Sequence, residues 1–292
     1  EIKQKNKEKN YTIDTIKYLK TIYPNDQLYF IMGMDQASLF HKWLAAKEIS
    51  ELVQLVVFDR IGYQTNENIK KYHFIKLDLV ATDDARKHIR NGNLHALNPE
   101  ELKYIVNNGI YLETIIKSKM SKKRYRHTVS MAKLAKKFAK KNDLDETKAY
   151  VAGMLHDIAK EMEYDKALQI MQDHYPAYID KPVPVWHQWL SEYVAKTEYL
   201  VDDKEILQAI RHHTTASLNM TKLDMCIYTA DKYDPSRDYD SSKEIALCKK
   251  DIVAGFKACL QDFYDFSSKK GREIDKSFFE IYNKYVKGDI NE

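Results

Sequence analysis

The hydrophobic positions change period once along the chain. Before about residue 112, short unbroken apolar runs alternate with helical patterns. Ile13, Ile16, Leu19 and Ile22 recur at helical spacing over Thr12–Ile22. Residues 27–33 (QLYFIMG), 53–60 (VQLVVFDR) and 73–80 read as buried strands. A helix is predicted over 36–52, with Leu39, Trp43, Leu44 and Ile49 on its apolar side, and two short helices at 82–91 and Pro99–Asn107. Strands alternating with helices predict a parallel α/β sheet. Three strands are few for such a sheet, whose faces and edges need cover. Together with a first residue that is Glu1 rather than Met, this suggests that strands precede this chain in a longer translation product.

From about residue 113 onward no strand is predicted. Apolar positions recur at helical spacing over 123–141, 146–160, Tyr164–His174, 185–199, 203–213, 221–233, 243–264 and 275–286. Asp143 and Asp145 are start signals for the second of these. Residues 175–184, with three prolines, read as an ordered connecting loop. The expected organisation is therefore an α/β region at 1–112 and an all-helical region at 113–292. The helices after Ser241 have ordinary amphipathic patterns that either close the bundle or form a homodimer contact.

Composition agrees with long helices. Gly (8) and Pro (6) are scarce, and 44% of 292 residues are apolar, enough for two ordinary cores. Net charge is only +4, so the total does not suggest nucleic acid as a partner, although local basic groups can still meet a phosphorylated small molecule. No apolar run approaches the roughly 20 residues of a membrane helix. Three cysteines without metal-type spacing point to reduced thiols and a cytoplasmic setting. The first ten residues are charged and read as a loop.

The candidate chemistry lies on the inward helical faces. His127 shares a face with Met131, Leu134 and Phe138; His187 with Leu190 and Val194; His213 with Ile206 and Ile210; Asp231 with Leu223 and Ile227. His156 and Asp157 follow the apolar run Val151, Met154, Leu155. A single inward histidine is usually a hydrogen-bonded core residue. The ordered set is different, because two buried carboxylates need partners. One cation would answer for both, and imidazole with carboxylate suits Fe, Mn, Co or Zn. His174 and His212 read as surface residues.

The order H…HD…D resembles the HD-domain phosphohydrolases, and most closely the bacterial symmetrical diadenosine tetraphosphate hydrolases. The matching stretches are 124–128 (RYRHT), 154–160 (MLHDIAK), 185–187 (VWH), 210–215 (IRHHTT) and 227–237 (IYTADKYDPSR). The resemblance implies a helical fold in which His127, His156, Asp157 and Asp231 hold a metal ion. His187 and His213 would complete a second metal site or contact phosphate. Lys160 and Arg237 would neutralise phosphate oxygens, and His156, Asp157 and Lys160 would form the catalytic set. It implies one or two divalent or trivalent ions, iron first and manganese or cobalt as alternatives. The substrate would be diadenosine tetraphosphate, cut at its central bridge to two ADP. Gln188 and Ala216 stand where the family often has glycine.

The first region resembles the later two-thirds of bacterial nicotinate-nucleotide adenylyltransferases, which have a Rossmann-like nucleotidyltransferase fold. The matching stretches are 11–15 (YTIDT), 30–35 (FIMGMD) with Trp43, and 55–60 (LVVFDR) followed by Gly62 and Tyr63. The resemblance would place Thr12, Gly33, Asp35 and Trp43 around the mononucleotide, and Thr82 and Arg86 near ATP phosphate. The family's early Gly-rich loop with its ATP-binding histidines has no counterpart here, and 80–86 (VATDDAR) brings Asp where a hydroxyl would face phosphate. This chain as given is therefore expected not to transfer adenylate, an activity that belongs to an intact bifunctional form. Two rivals stand beside hydrolysis of a dinucleoside polyphosphate: a module that holds a nucleotide without turnover, and a hydrolase for another nucleotide.

Overall fold

The computed structural model describes residues 11–81, 94, 97–237 and 239–288. The chain divides into two compact units, 1–86 and 87–292. The division falls earlier than residue 112 because Leu102, Val106 and Leu112 bury their side chains in the core of the helical unit. Thr82, Arg86 and the helix predicted at 82–91 lie outside the described residues.

The first unit carries helix α1 (Thr12–Ile22), strands β1 (Tyr29–Gly33), β2 (Gln54–Arg60) and β3 (Ile75–Ala81), and helices α2 (Met34–Leu39), α3 (Ala46–Leu52) and α4 (Glu67–Lys71). Among the described residues all strand pairings are parallel in the order β1-β2-β3, with Ile31 opposite Val56 and Val56 opposite Ile75. Leu55, Val56 and Val57 of the central strand are all buried. That is why its sequence is a continuous apolar run rather than an alternation. The outer strands expose Tyr29, Ile31, Ile75 and Leu79. The helix expected over 36–52 is broken. Trp43 is extended and Ala45 is left-handed (φ 58°), which separates α2 and a short 3-10 turn (Phe40–Lys42) from α3. The break lets the Trp43 ring pack on Phe30 and Phe40.

The second unit is helical throughout its described residues. Its helices are α5 (Pro99–Asn107), α6 (Leu112–Ile116), α7 (Lys122–Lys141), α8 (Glu146–Leu155), α9 (Tyr164–His174), α10 (His187–Thr197), α11 (Lys204–His212), α12 (Lys222–Lys232), α13 (Ser242–Lys250), α14 (Ile252–Lys269) and α15 (Lys276–Tyr282). Starts follow cap chemistry. Asp145 accepts from the backbone N–H of Thr147 and Lys148, while Asp143 is left-handed (φ 55°) and outside the helix. Thr221 and Asp224 form a reciprocal capping box that starts α12. Two predicted helices end differently. The one expected to run to residue 160 stops at Leu155, and the one over 243–264 is split at Asp251, which is extended and caps α14.

Candidate metal centre

The site is built where α7, α8, α10, α11 and α12 converge. His127 comes from the first turns of α7 and Asp231 from the end of α12. His156 and Asp157 follow the last turn of α8, His187 opens α10, and His213 follows α11. His156, Asp157, His187, His213 and Asp231 are buried, and His127 is half-buried.

Four imidazoles are oriented the same way. Nδ1 of His156 donates to the Gly153 carbonyl (2.7 Å), Nδ1 of His187 to Pro184 (2.8 Å) and Nδ1 of His213 to Ile210 (2.6 Å). Nδ1 of His127 donates to Asp234 Oδ2 (2.7 Å). Each Nδ1 therefore carries a proton, and each Nε2 is turned to the common centre. Nε2 of His187 and His213 lie only 3.1 Å apart, with the Thr214 hydroxyl beside both.

Asp157 is the shared member. Its Oδ2 receives Arg124 (2.6 Å) and lies 3.4 Å from His156 Nε2, while Oδ1 lies 3.4 and 3.5 Å from Nε2 of His187 and His213. Two groups of possible ligand atoms result: His127, His156 and Asp157, and Asp157, His187 and His213. Asp231 Oδ1 adjoins the first, 3.0 Å from His127 Nε2 in a geometry that makes no hydrogen bond, and 3.9 Å from His156 Nε2. Nε2 of His127, Nε2 of His156 and Oδ1 of Asp157 are buried without a hydrogen bond. Buried polar atoms are rarely left so. Several lone pairs aimed at one point, with their outer nitrogens fixed, are what a cation requires, so these residues fit a metal ion.

Electrostatics agree. Burial alone would raise the Asp157 carboxyl, but the facing His156 and His213 imidazoles hold it well below the ordinary range. Asp231 is likewise held low against burial, chiefly by the Lys232 ammonium. Burial and the neighbouring His213 depress His187 to about 2, so it is neutral and free to donate its lone pair. Burial also pushes the Lys160 ammonium down; its Nζ is 2.7 Å from His187 Nε2. Arg237 donates to Asp231 Oδ1 (2.9 Å).

His127 behaves oppositely. Burial lowers it, but its contacts with Asp231 and Asp234 outweigh burial and raise it to about 9. In metal-free protein this group contributes stability that is complete below its ordinary value of 6.5 and lost as pH rises through about 9. His187, depressed instead, has completed its own change by pH 6.5. Urea unfolding of metal-stripped protein is expected to show a loss on the order of 2–3 kcal/mol across that window. In His127→Gln the fall below about pH 8, where unfolded thiols are still protonated, should be absent; an equal slope there would refute the assignment.

The structure thus gathers His127, His156, Asp157, Lys160, His187, His213, Asp231 and Arg237 around one centre. It also adds residues that the sequence reading passed over. Asp234 orients His127, Arg124 pairs with Asp157, and Thr214 and Lys232 line the opening. Their signal was present as spacing: Arg124 lies three residues before His127, and Asp234 three after Asp231. His212 is not a surface residue, since it is half-buried against Asp224 (3.1 Å). Gln188 is fully buried and its Oε1 accepts from Thr215, tying the loop after α11. Ala216 is left-handed (φ 60°), a conformation glycine adopts freely and alanine at a cost of about 1 kcal/mol.

In the first unit, Gly33, Asp35 and Arg60 are neighbours: a Cβ on Gly33 would meet Asp35 Oδ1 at 2.5 Å, and Asp35 Oδ2 pairs with Arg60 (2.8 Å). Asp35 Oδ1 is buried without a hydrogen bond. Thr12 opens α1, and Trp43 is half-buried against Phe30 and Phe40.

The HD domain family model matches residues 124–236, the stretch that carries this cluster of imidazoles and carboxylates. The chain is 32% identical over 244 residues to the "Probable nicotinate-nucleotide adenylyltransferase/Ap4A hydrolase" of Mycoplasma genitalium, across 81% of this chain and 67% of that one. It is 31% identical over 176 residues to the "Bis(5'-nucleosyl)-tetraphosphatase, symmetrical" of Bacillus subtilis, across 59% of this chain and 95% of that one. A solved structure described as a predicted HD superfamily hydrolase involved in NAD metabolism, from Clostridium acetobutylicum, shares the fold. Its TM-score is 0.54 at 24% identity, over 66% of this chain and 99% of that one. The chain belongs to the family of these fused adenylyltransferase/hydrolase proteins, and its carboxy-terminal part is an HD-domain phosphohydrolase. Among the described residues no helix is long and apolar enough to cross a membrane.

Proposed function

We propose that this chain hydrolyses a dinucleoside polyphosphate, cutting diadenosine tetraphosphate symmetrically: the tetraphosphate and one water give two ADP. The observation that carries this is the convergence of four Nε2 atoms on Asp157 and Asp231, ringed by four basic side chains. His127, His156, Asp157 and Asp231 would hold one ion; Asp157, with its other oxygen, His187 and His213 would hold a second. Iron is the first choice, with manganese or cobalt as alternatives. When bound, such ions acidify water and polarise a phosphoryl oxygen.

The remaining work belongs to the side chains. Arg124, Lys160, Lys232 and Arg237 line the cleft of about 340 Å³ above the cluster and balance the charge of a polyphosphate. The Thr214 hydroxyl lies in the same wall and can position an oxygen of the substrate. Burial makes the Lys160 ammonium a stronger acid, so that its protonated form can give a proton to the departing phosphate oxygen. The three buried free thiols suit a cytoplasmic enzyme.

We assign the first unit as part of a Rossmann-like nucleotidyltransferase, with Thr12, Gly33, Asp35 and Trp43, and beyond the described residues Thr82 and Arg86, at its nucleotide site. The parallel sheet and the unpartnered Asp35 Oδ1 beside Gly33 support that assignment.

The test is hydrolysis of diadenosine tetraphosphate by the metal-loaded chain with chromatographic product analysis. ADP as the sole product, lost on chelation and restored by Fe, Mn or Co, is expected. ATP with AMP as products would refute the symmetric cut, and absence of turnover at full metal loading would refute the substrate.

A further inference from the structure

The cleft over the His/Asp cluster does not end there. Thr214 and Lys232, two of its wall residues, also line a second cleft of about 610 Å³. The two spaces therefore adjoin across these side chains. The second cleft has a different chemistry. Tyr178, from the 3-10 turn Pro176–Tyr178, stacks on Trp189 of α10 with ring centroids 4.5 Å apart and planes 20° apart. Phe263 of α14 packs on Phe278 of α15 at 4.8 Å. Trp189 and Phe278 are buried, whereas Tyr178 is 39% and Phe263 43% exposed. All four rings line the cleft. Each open ring is thus braced from behind by a buried one, so an aromatic surface is presented without the entropic cost of holding a loose side chain.

A third cleft that adjoins the cluster has a mainly basic lining, with Glu161 as its one carboxylate. This cleft, of about 830 Å³, is bordered by Lys123, Arg124, Arg126 and Arg237, and it shares Arg124 and Arg237 with the central cleft. The metal centre thus adjoins both an aromatic arm and a basic arm. At the mouth of the aromatic arm, Lys232 Nζ is 2.7 Å from Asp231 Oδ2 and 5.0 Å from the centre of the Tyr228 ring. It can therefore serve a phosphate that leads out of the centre into the arm.

We propose that the aromatic arm is the base-binding site for one nucleoside of the substrate. Tyr178 is its stacking platform, and Lys232 and Thr214 hold the first phosphate. This rests on the functional reading above and adds an asymmetry to it. A symmetric substrate meets two unlike arms: one reads a planar heteroaromatic base, and the other reads phosphate charge. Base stacking on an aromatic side chain is strong and tolerant of base identity, so the arm selects nucleotides from bare polyphosphate without demanding one base.

The test is titration calorimetry of the full, metal-loaded chain with ADP and, separately, with inorganic tripolyphosphate. Tyr178→Ala is expected to raise the Kd of ADP about tenfold and to leave that of tripolyphosphate unchanged. Tyr178→Phe, which keeps the ring, is expected to bind ADP like the parent chain. Phe263→Ala approaches the same cleft from another helix and should weaken ADP selectively too. It also guards against a Tyr178→Ala chain that fails to fold. An unchanged ADP affinity in both alanine variants, or equal weakening of ADP and tripolyphosphate, would overturn the proposal. A parent chain that binds ADP in this ring-dependent way yet does not cleave diadenosine tetraphosphate would remove the substrate assignment and leave the base site standing.

Discussion

Replacing Asp157 by alanine is expected to lower turnover by at least about a thousandfold, roughly 4 kcal/mol of transition-state stabilisation, and to strip the chain of metal. Among the described residues Asp157 belongs to both groups of ligand atoms, and its two oxygens face opposite histidine sets. Asp157→Asn separates charge from shape. The amide keeps the volume at a position only 3% exposed, but it offers a single neutral acceptor. It should lose metal almost as fully as the alanine variant. Metal content per chain, circular dichroism and steady-state rates measured on the same samples decide the matter. A folded Asp157→Ala chain that retained stoichiometric metal would place the ion elsewhere.

A second large effect is expected at a residue that itself offers no side-chain ligand. Gly153→Ala should destabilise the helical unit by a net of about 2 kcal/mol, because a clash with backbone places the overpacking near the upper end of its usual range, roughly 3 kcal/mol. An added Cβ would lie 2.7 Å from the Cα of Ala132 and 3.0 Å from its Cβ. The first of these is backbone, so relief requires α7 to move as a body. Alanine's helix propensity returns only about 1 kcal/mol, less than the clash removes. At roughly 2–4 °C per kcal/mol for a unit of this size, the melting temperature should fall by about 4–8 °C. The metal site should suffer as well. α7 carries His127, and the Gly153 carbonyl holds Nδ1 of His156. Thermal unfolding with and without metal is the measurement; an unchanged melting temperature would mean that the two helices have slack the packing does not show.

Much of this was legible in the amino-acid order. Helical periodicity located α7, α9 and α12 and showed which faces are inward, because a burial stripe on a helix is a local property of spacing. The apolar run at 53–60 identified a strand buried on both faces. Inward histidines and two acids on separate segments were enough to raise metal chemistry, since an unpaired buried carboxylate is too costly to be incidental. Element ends were less legible. The α8 pattern continues past Leu155 in apolar residues, so periodicity carried the helix too far. The chain instead turns there, and that turn lets His156 and Asp157 face the centre together.

What the sequence by itself determined is the class of fold, the inward residues and the kind of ion they suit. What only the tertiary structure decided is the partnership among them. Asp234 fixes the tautomer of His127, Arg124 neutralises one oxygen of Asp157, and three backbone carbonyls turn His156, His187 and His213 toward the centre. The two unlike arms that adjoin the cluster are also visible only in three dimensions. Each of these depends on groups brought together from helices far apart in the chain, and spacing along a chain carries no information about distances across a packed core.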